Sequence, residues 1–356
     1  MKRIGIFGGS FNPIHSGHIG VALKAAAEYR LDRVLVIPAA CNPFKDGCGT
    51  DALRWALVKF ACAPYKVLEP WDYELRKGGR SYSIDTVRMV RELNPDAELF
   101  FVIGEDNVPN ISRWKDAEEL SRLVTFIPFA RTPESSTEIR GRIAAGEPIV
   151  DMVPQSVADF LEAKAVVFDF GGVISMSPRN DGWQLLDFCR SLGLSREAFD
   201  QGWDRYRAKW DGGECSFKDM YDMTFADAGL PMPTPEQLDR LWELDAVGWV
   251  KVLSADTLAL MRDLKSAGKK IGLLSNMSVD FHERLFAPRC AEYRALLDVE
   301  VISGMVRMVK PERTIYDLTA SRLGVSPKDI LFLDDTEMNV LAARKCGWRS
   351  QVYRAE

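Results

Sequence analysis

Along the first 160 or so residues, short apolar runs alternate with stretches whose apolar positions recur every three or four residues. That alternation predicts strands of a parallel sheet covered by helices. RIGIF (3–7), RVLVIP (33–38), LFFVIG (99–104) and LVTFIPF (123–129) read as strands, and 18–30, 53–63, 83–93 and 153–161 read as helices. A second series opens at AVVFDF (165–170) and returns at KKIGLLSN (269–276) and DILFLDD (329–335), with a tryptophan-rich helical stretch over 183–248 between them. The pattern predicts an α/β protein of two Rossmann-like parallel-sheet domains, 1–162 and 163–356, the second carrying a helical insert over about 178–250. No Gly/Ser-rich linker separates the two series, so closely packed domains are expected.

Composition adds limits. With 47% hydrophobic and 27% charged residues among 356, both halves can bury a core. The net charge of −5 is spread over both, which argues against general nucleic-acid binding. No apolar stretch is long enough for a membrane span, and the N-terminus lacks the pattern of a signal peptide. Seven scattered cysteines without a CxxC pair predict free thiols and a cytoplasmic location.

The first strand runs directly into GGSFNPIHSGH, from Gly8 to His18. Glycines there let a backbone approach phosphate, and the helix that follows presents free N–H groups and the positive end of its dipole. His15 and His18 stand at its entrance, where two imidazoles can face one phosphate chain. Such a site transfers phosphoryl-type groups by positioning and charge stabilisation, without a covalent nucleophile.

This turn resembles the HxGH signature of the nucleotidyltransferase superfamily. With SYSIDT (81–86), IGEDNVPNISRW (103–114) and SSTEIR (135–140), it is similar to bacterial nicotinate-nucleotide adenylyltransferase. The resemblance implies transfer of AMP from ATP to nicotinate mononucleotide, with Mg²⁺ accompanying the phosphates. It implies ATP contacts from Gly8, Gly9, Ser10, Phe11, His15, His18, Gly104, Asp106, Ser136, Thr137 and Arg140. It implies mononucleotide contacts from Asn12, Lys45, Ser81, Tyr82, Thr86 and Trp114, the tryptophan stacking on the pyridine ring. Ser135, Ser136 and Thr137 are expected to cap the helix they begin. Two features depart from the family: Phe44 stands where a histidine is usual, and only three residues separate Arg131 from Ser135.

In the second half, Asp169 ends a strand and is followed by glycines. Ser275 and Asn276 follow another strand, then come Lys310 and the pair Asp334 and Asp335. Carboxylates with one lysine suit a Mg²⁺-assisted phosphate site. Asp169 can attack phosphorus, and Asp169, Asp334, Asp335 and the Gly171 carbonyl can hold the metal. Ser275, Asn276 and Lys310 can bind the phosphoryl group. The set resembles the haloacid dehalogenase superfamily, with the insert as its cap. The aspartate usual two residues after the nucleophile is replaced by Gly171, and Glu312 and His282 are candidate substitutes. The expectation is a bifunctional enzyme whose second substrate is a small phosphoester, with a non-catalytic regulatory second domain or a dehalogenase as alternatives. A first domain that holds nucleotide without turnover is a third.

Overall fold

The computed structural model describes residues 1–40, 50–130, 132–176 and 182–355. Lys45 and Phe44 lie outside the described residues, as does the first part of the expected insert. Packing divides the chain into two compact units, Met1–Glu162 and Ala163–Glu356.

The first unit is built on β1 (Arg3–Gly9), β2 (Arg33–Pro38), β3 (Leu68–Pro70), β4 (Glu98–Gly104) and β5 (Thr125–Phe129). All neighbours are parallel, in the order β3-β2-β1-β4-β5. Strands buried on both faces read as continuous apolar runs, which is why β1, β2 and β4 stand out in the sequence. Ile4, Ile6, Leu35, Leu99 and Phe101 pack with Ile84, Val87 and Val90 of the helix Ser83–Leu93. The chain winds outward from β1 through β2 to β3, then crosses back to β4 on the other side of β1. The reversal opens a crevice at the carboxyl ends of β1 and β4, where sheets of this kind bind ligands.

The second unit repeats the plan with β6 (Ala165–Phe168), β7 (Lys270–Ser275), β8 (Val299–Ile302), β9 (Ile330–Asp334) and β10 (Arg349–Val352), in the order β10-β9-β6-β7-β8. Val167, Leu274, Val301 and Phe332 pack against Ile315, Tyr316, Leu323 and Trp348. Between β6 and β7 lie helices at Gly182–Ser191, Arg196–Asp211, Phe217–Asp227 and Pro235–Asp245. Three of them begin at a hydroxyl N-cap, Ser195, Ser216 or Thr234, each accepting a backbone N–H. Among the described residues, no helix is long and apolar enough to cross a membrane.

Candidate active sites

In the first unit, β1 ends at Gly9 and the helix Ser16–Glu28 starts seven residues later, with His15 as its N-cap. Nδ1 of His15 accepts the N–H of His18 at 3.3 Å, and Nδ1 of His18 accepts the N–H of His15 at 3.2 Å. This is a capping box made of imidazoles in place of a hydroxyl and a carboxylate. The two rings stack, centroids 3.5 Å apart. A ring nitrogen that accepts a hydrogen bond carries no proton, so each neutral ring keeps its hydrogen on Nε2 as a donor. Burial lowers the His15 pKa, against an opposing pull from Glu134. Both rings are therefore set up to give hydrogen bonds to an anion while the dipole behind them supplies positive potential. Phe11 holds the turn from the other side. It is buried, sits at φ 41°, and meets the His18 ring edge-on at 5.0 Å.

Two cavities of about 570 Å³ each share Phe7, Gly8, Gly9, Ile103 and Gly104 at the ends of β1 and β4. One contains Phe11, His15, His18, Ser136 and Thr137; the other contains Ser81, Tyr82, Thr86 and Trp114. Trp114 also packs edge-on against Phe101 and Phe126, so it is part core and part cavity wall. Ser10, Asn12, Asp106 and Arg140 do not line either cavity. The Ser10 carbonyl accepts a guanidinium N–H of buried Arg54 at 2.7 Å, and the Asn12 carbonyl accepts one from Arg140 at 2.6 Å. Ser136 Oγ donates to the Pro13 carbonyl, and Ser135, although the N-cap, makes no side-chain cap. These groups brace the turn: Ser136 and Arg140 staple the helix Ser136–Ala145 to residues 13 and 12. Gly9 also serves the turn, because a Cβ there would strike the Phe11 ring at 2.7 Å, whereas Gly8 faces open space.

In the second unit, Asp169, Ser275 and Asp334 stand at the ends of the adjacent strands β6, β7 and β9. Lys310 Nζ bridges Asp169 at 2.8 Å and Asp334 at 2.7 Å, and all three are buried. Burial raises the Asp169 carboxyl above the usual carboxylate range, against the pull of Lys310. Asp334 is fixed by the Thr336 N–H and the Asn339 amide. Oxygens of Asp169, Asp334 and Asp335 lie within 4.8 Å of one another. Three hard carboxylates against one ammonium leave a double negative charge, which fits a magnesium ion. Gly172 turns the chain at φ 68°, and any Cβ there would strike Asp335 Oδ2 at 2.4 Å. Asn276 braces Lys310, donating to its carbonyl at 2.9 Å and accepting its N–H at 2.8 Å, so its part is to place the lysine.

A family profile described as cytidylyltransferase-like matches residues 6–165, and one for haloacid dehalogenase-like hydrolases matches residues 163–347. A Shouchella clausii protein named "Probable nicotinate-nucleotide adenylyltransferase" is 36% identical over 189 residues, spanning 48% of this chain and 98% of that one. The chain belongs to both families, nicotinate-nucleotide adenylyltransferase in its first unit and haloacid dehalogenase-like hydrolase in its second. A protein of the first name from Opitutus terrae is 42% identical over 131 residues, 36% of this chain and 67% of that one. A HAD-family enzyme from Bacteroides thetaiotaomicron, solved as a magnesium complex, is 20% identical, spans 55% of this chain and 94% of that one, and has a TM-score of 0.44.

As a haloacid dehalogenase-like hydrolase, the second unit departs from its family at Gly171, and the departure has a visible neighbour. A Cβ on Gly171 would lie 3.3 Å from the Trp249 ring. Trp249, Trp203, Trp210 and Arg207 line the 320 Å³ cavity that also holds Asp169, Gly171, Ser275, Lys310 and Asp335. Of the cap tryptophans, Trp242 packs against Phe217 and Trp210, and Trp183 is exposed. Neither His282 nor Glu312 lines this cavity. His282 Nε2 pairs with Glu300, and Glu312 precedes the helix Arg313–Leu323 as its N-cap. Sequence reasoning missed Glu74, Arg80, Arg113 and Lys115 in the adenylyltransferase unit and Arg207 and Asp211 in the hydrolase unit. Arg113 lies inside the 103–114 motif next to Trp114, where sequence reasoning assigned it no role of its own; the others belong to no local pattern and reach their cavities through tertiary packing.

Proposed function

We propose that the first unit joins the AMP moiety of ATP to nicotinate mononucleotide and that the second hydrolyses a small phosphomonoester. The observation that carries the first part is the reciprocal cap of His15 and His18, which turns both Nδ1 atoms to the main chain and sets both rings beside the crevice between β1 and β4. ATP, with its magnesium counter-ion, occupies the cavity containing the histidines, Ser136 and Thr137. The mononucleotide occupies the cavity containing Ser81, Tyr82, Thr86 and Trp114, with its pyridine ring against the indole. Its 5′-phosphate oxygen attacks the α-phosphorus, the bond to the β-phosphate bridging oxygen breaks, and pyrophosphate leaves with the displaced electron pair. The Nε2–H groups stabilise the charge that develops on the phosphates. Ser10, Asn12 and Arg140 hold the shape of the turn, and Asp106 folds over the end of β4, its Oδ1 2.5 Å from where a Gly104 Cβ would be.

In the second unit, a carboxylate oxygen of Asp169 attacks phosphorus and the alkoxide leaves; water then cleaves the aspartyl-phosphate to inorganic phosphate. Asp169, Asp334, Asp335 and the Gly171 carbonyl would hold magnesium, which when bound neutralises charge on the phosphoryl oxygens. Ser275 and Lys310 face that group, and Asn276 keeps the lysine in place. A non-catalytic role for this unit is the second reading, favoured by the indole beside Gly171 where an acid is usual.

Pyrophosphate release from ATP and nicotinate mononucleotide tests the first part, and phosphate release from a panel of phosphomonoesters tests the second. His18→Ala should reduce the former by at least about 10²-fold. Asp169→Asn should abolish the latter; a panel from which the wild-type chain releases no phosphate supports the non-catalytic reading.

A further inference from the structure

Glu134 places a carboxylate in the cavity assigned above to the triphosphate of ATP. Gly17 is what admits it. A Cβ on Gly17 would lie 2.0 Å from Thr132 Oγ1 and 2.7 Å from Glu134 Oε2, so the loop before Ser135 rests directly on the first turn of the helix Ser16–Glu28. Two residues after Glu134 the helix Ser136–Ala145 begins. The carboxylate thus shares one cavity with the starts of two helices, His15 and His18 at the first and Ser136 and Thr137 at the second. Both starts attract anions.

The charge of Glu134 is felt by His15, whose pKa it pulls upward against the effect of burial. Even so, Glu134 Oε2 is buried without a hydrogen-bond partner among the described residues. An ionised carboxylate has only acceptor oxygens, so one that is cut off from water needs a donor or a cation. Left alone, the same charge would also repel a triphosphate drawn to the two helix starts. A single cation removes both difficulties. Mg²⁺ is a hard ion that keeps several waters and is held by one or two carboxylates together with substrate phosphates, and the orphaned oxygen fits that donor set. With such an ion between them, carboxylate and phosphate attract the same charge and cease to oppose each other.

We propose that Glu134 is a magnesium-binding residue of the first unit, and that through it the site selects the magnesium complex of ATP over the metal-free nucleotide. The inference rests on the adenylyl-transfer reading of this unit. It gives the loop between Arg131 and Ser135, shortened to three residues, a part in binding the nucleotide.

The test measures binding without turnover. The full chain is titrated calorimetrically with α,β-methylene-ATP, which cannot be cleaved at the α–β bond, once with excess Mg²⁺ and once with a chelator. The wild-type chain should bind the magnesium complex at least about tenfold more tightly than the metal-free analogue. Glu134→Gln should lower that ratio about tenfold, weakening the complex and tightening the metal-free form, because a ligand and a repulsive charge are lost together. If Glu134→Gln does not fold, Glu134→Ala is read in the same way. An unchanged ratio overturns the proposal. Equal weakening of both forms would show that the carboxylate accepts a hydrogen bond from the nucleotide itself, and equal tightening that it merely excludes phosphate. A wild-type chain that binds the analogue under neither condition overturns the adenylyl-transfer reading, which separates the two failures.

Discussion

The proton on each imidazole at the mouth of the helix Ser16–Glu28 is placed by the main chain. Because Nδ1 of each ring accepts a backbone N–H, the neutral Nε2–H tautomer is the one that keeps the cap intact. His15 has its pKa lowered by burial, so the neutral form predominates at a pH where an ordinary histidine is half charged. Nitrogen-15 NMR of the histidine rings at pH 6.5 should show His15 unprotonated at Nδ1 and carrying hydrogen at Nε2. The same depression has a thermodynamic sign. Between the lowered folded value and 6.5 the unfolded chain binds more protons than the folded one, so this contribution to stability is full above that window and is lost as pH falls through it. Gly17, between the histidines, is a matter of space. A Cβ there would lie 2.0 Å from Thr132 Oγ1 and 2.7 Å from Glu134 Oε2, an oxygen that is itself buried without a hydrogen-bond partner. Gly17→Ala should push this short loop or the helix start aside and reduce pyrophosphate release by about 10²-fold, the scale of an ångström-level misplacement. A near wild-type rate would show that the loop yields freely.

At the scale of elements, each site is a set of strand ends, and that governed what could be read from sequence. β1, β4, β7 and β9 are apolar runs ending in glycine, serine or aspartate, and β6 runs straight into Asp169, so strand and chemistry were legible together in Gly8, Asp169, Ser275 and Asp334. The edge strands β3, β8 and β10 span three or four residues and carry polar positions, LEP, VEVI and RSQV, which no periodicity distinguishes from loop. Glu74 escaped for another reason: it lies in no motif, and only the packing of a short helix brings it to a cavity. Trp249 stood among five tryptophans (183, 203, 210, 242 and 249) that the sequence left between pocket lining and helix packing, and the segment after the cap brings it to a cavity. Trp249 has a kinetic consequence. With its ring beside Gly171 and no carboxyl at that position, departure of the alkoxide lacks the usual proton donor. A general acid typically contributes about 10²–10⁴-fold, and least where the leaving group is already stable. Phosphate release should therefore fall steeply as the pKa of the leaving alcohol rises, aryl esters reacting far faster than alkyl esters. A flat dependence would mean that another group in the cavity, with Asp211 the nearest in kind, donates the proton.

On the scale of the whole chain, the two sheets have separate cores, and on the proposed function they carry two sets of phosphate chemistry that use different groups. The first would work through donors and a helix dipole, without a nucleophile of its own. The second would work through a buried carboxylate beside a lysine and a cluster suited to a metal. The proposed products differ as well, pyrophosphate in one and inorganic phosphate in the other, so both can be followed in one reaction mixture. If each constellation is complete within its own unit, substitutions should act on one product alone. His18→Ala should remove pyrophosphate formation and leave phosphate release within about twofold, and Asp169→Asn should do the reverse, as expected for sites that share no residue. Omitting magnesium should depress both, since on the proposed function it would accompany ATP in one and would balance the Asp169, Asp334 and Asp335 carboxylates in the other. A phosphate signal that vanished in His18→Ala would instead mean that the hydrolase consumes something the transferase makes. Adding the purified dinucleotide to that variant would then decide the matter, because an intact second unit should release phosphate from its true substrate whatever the source.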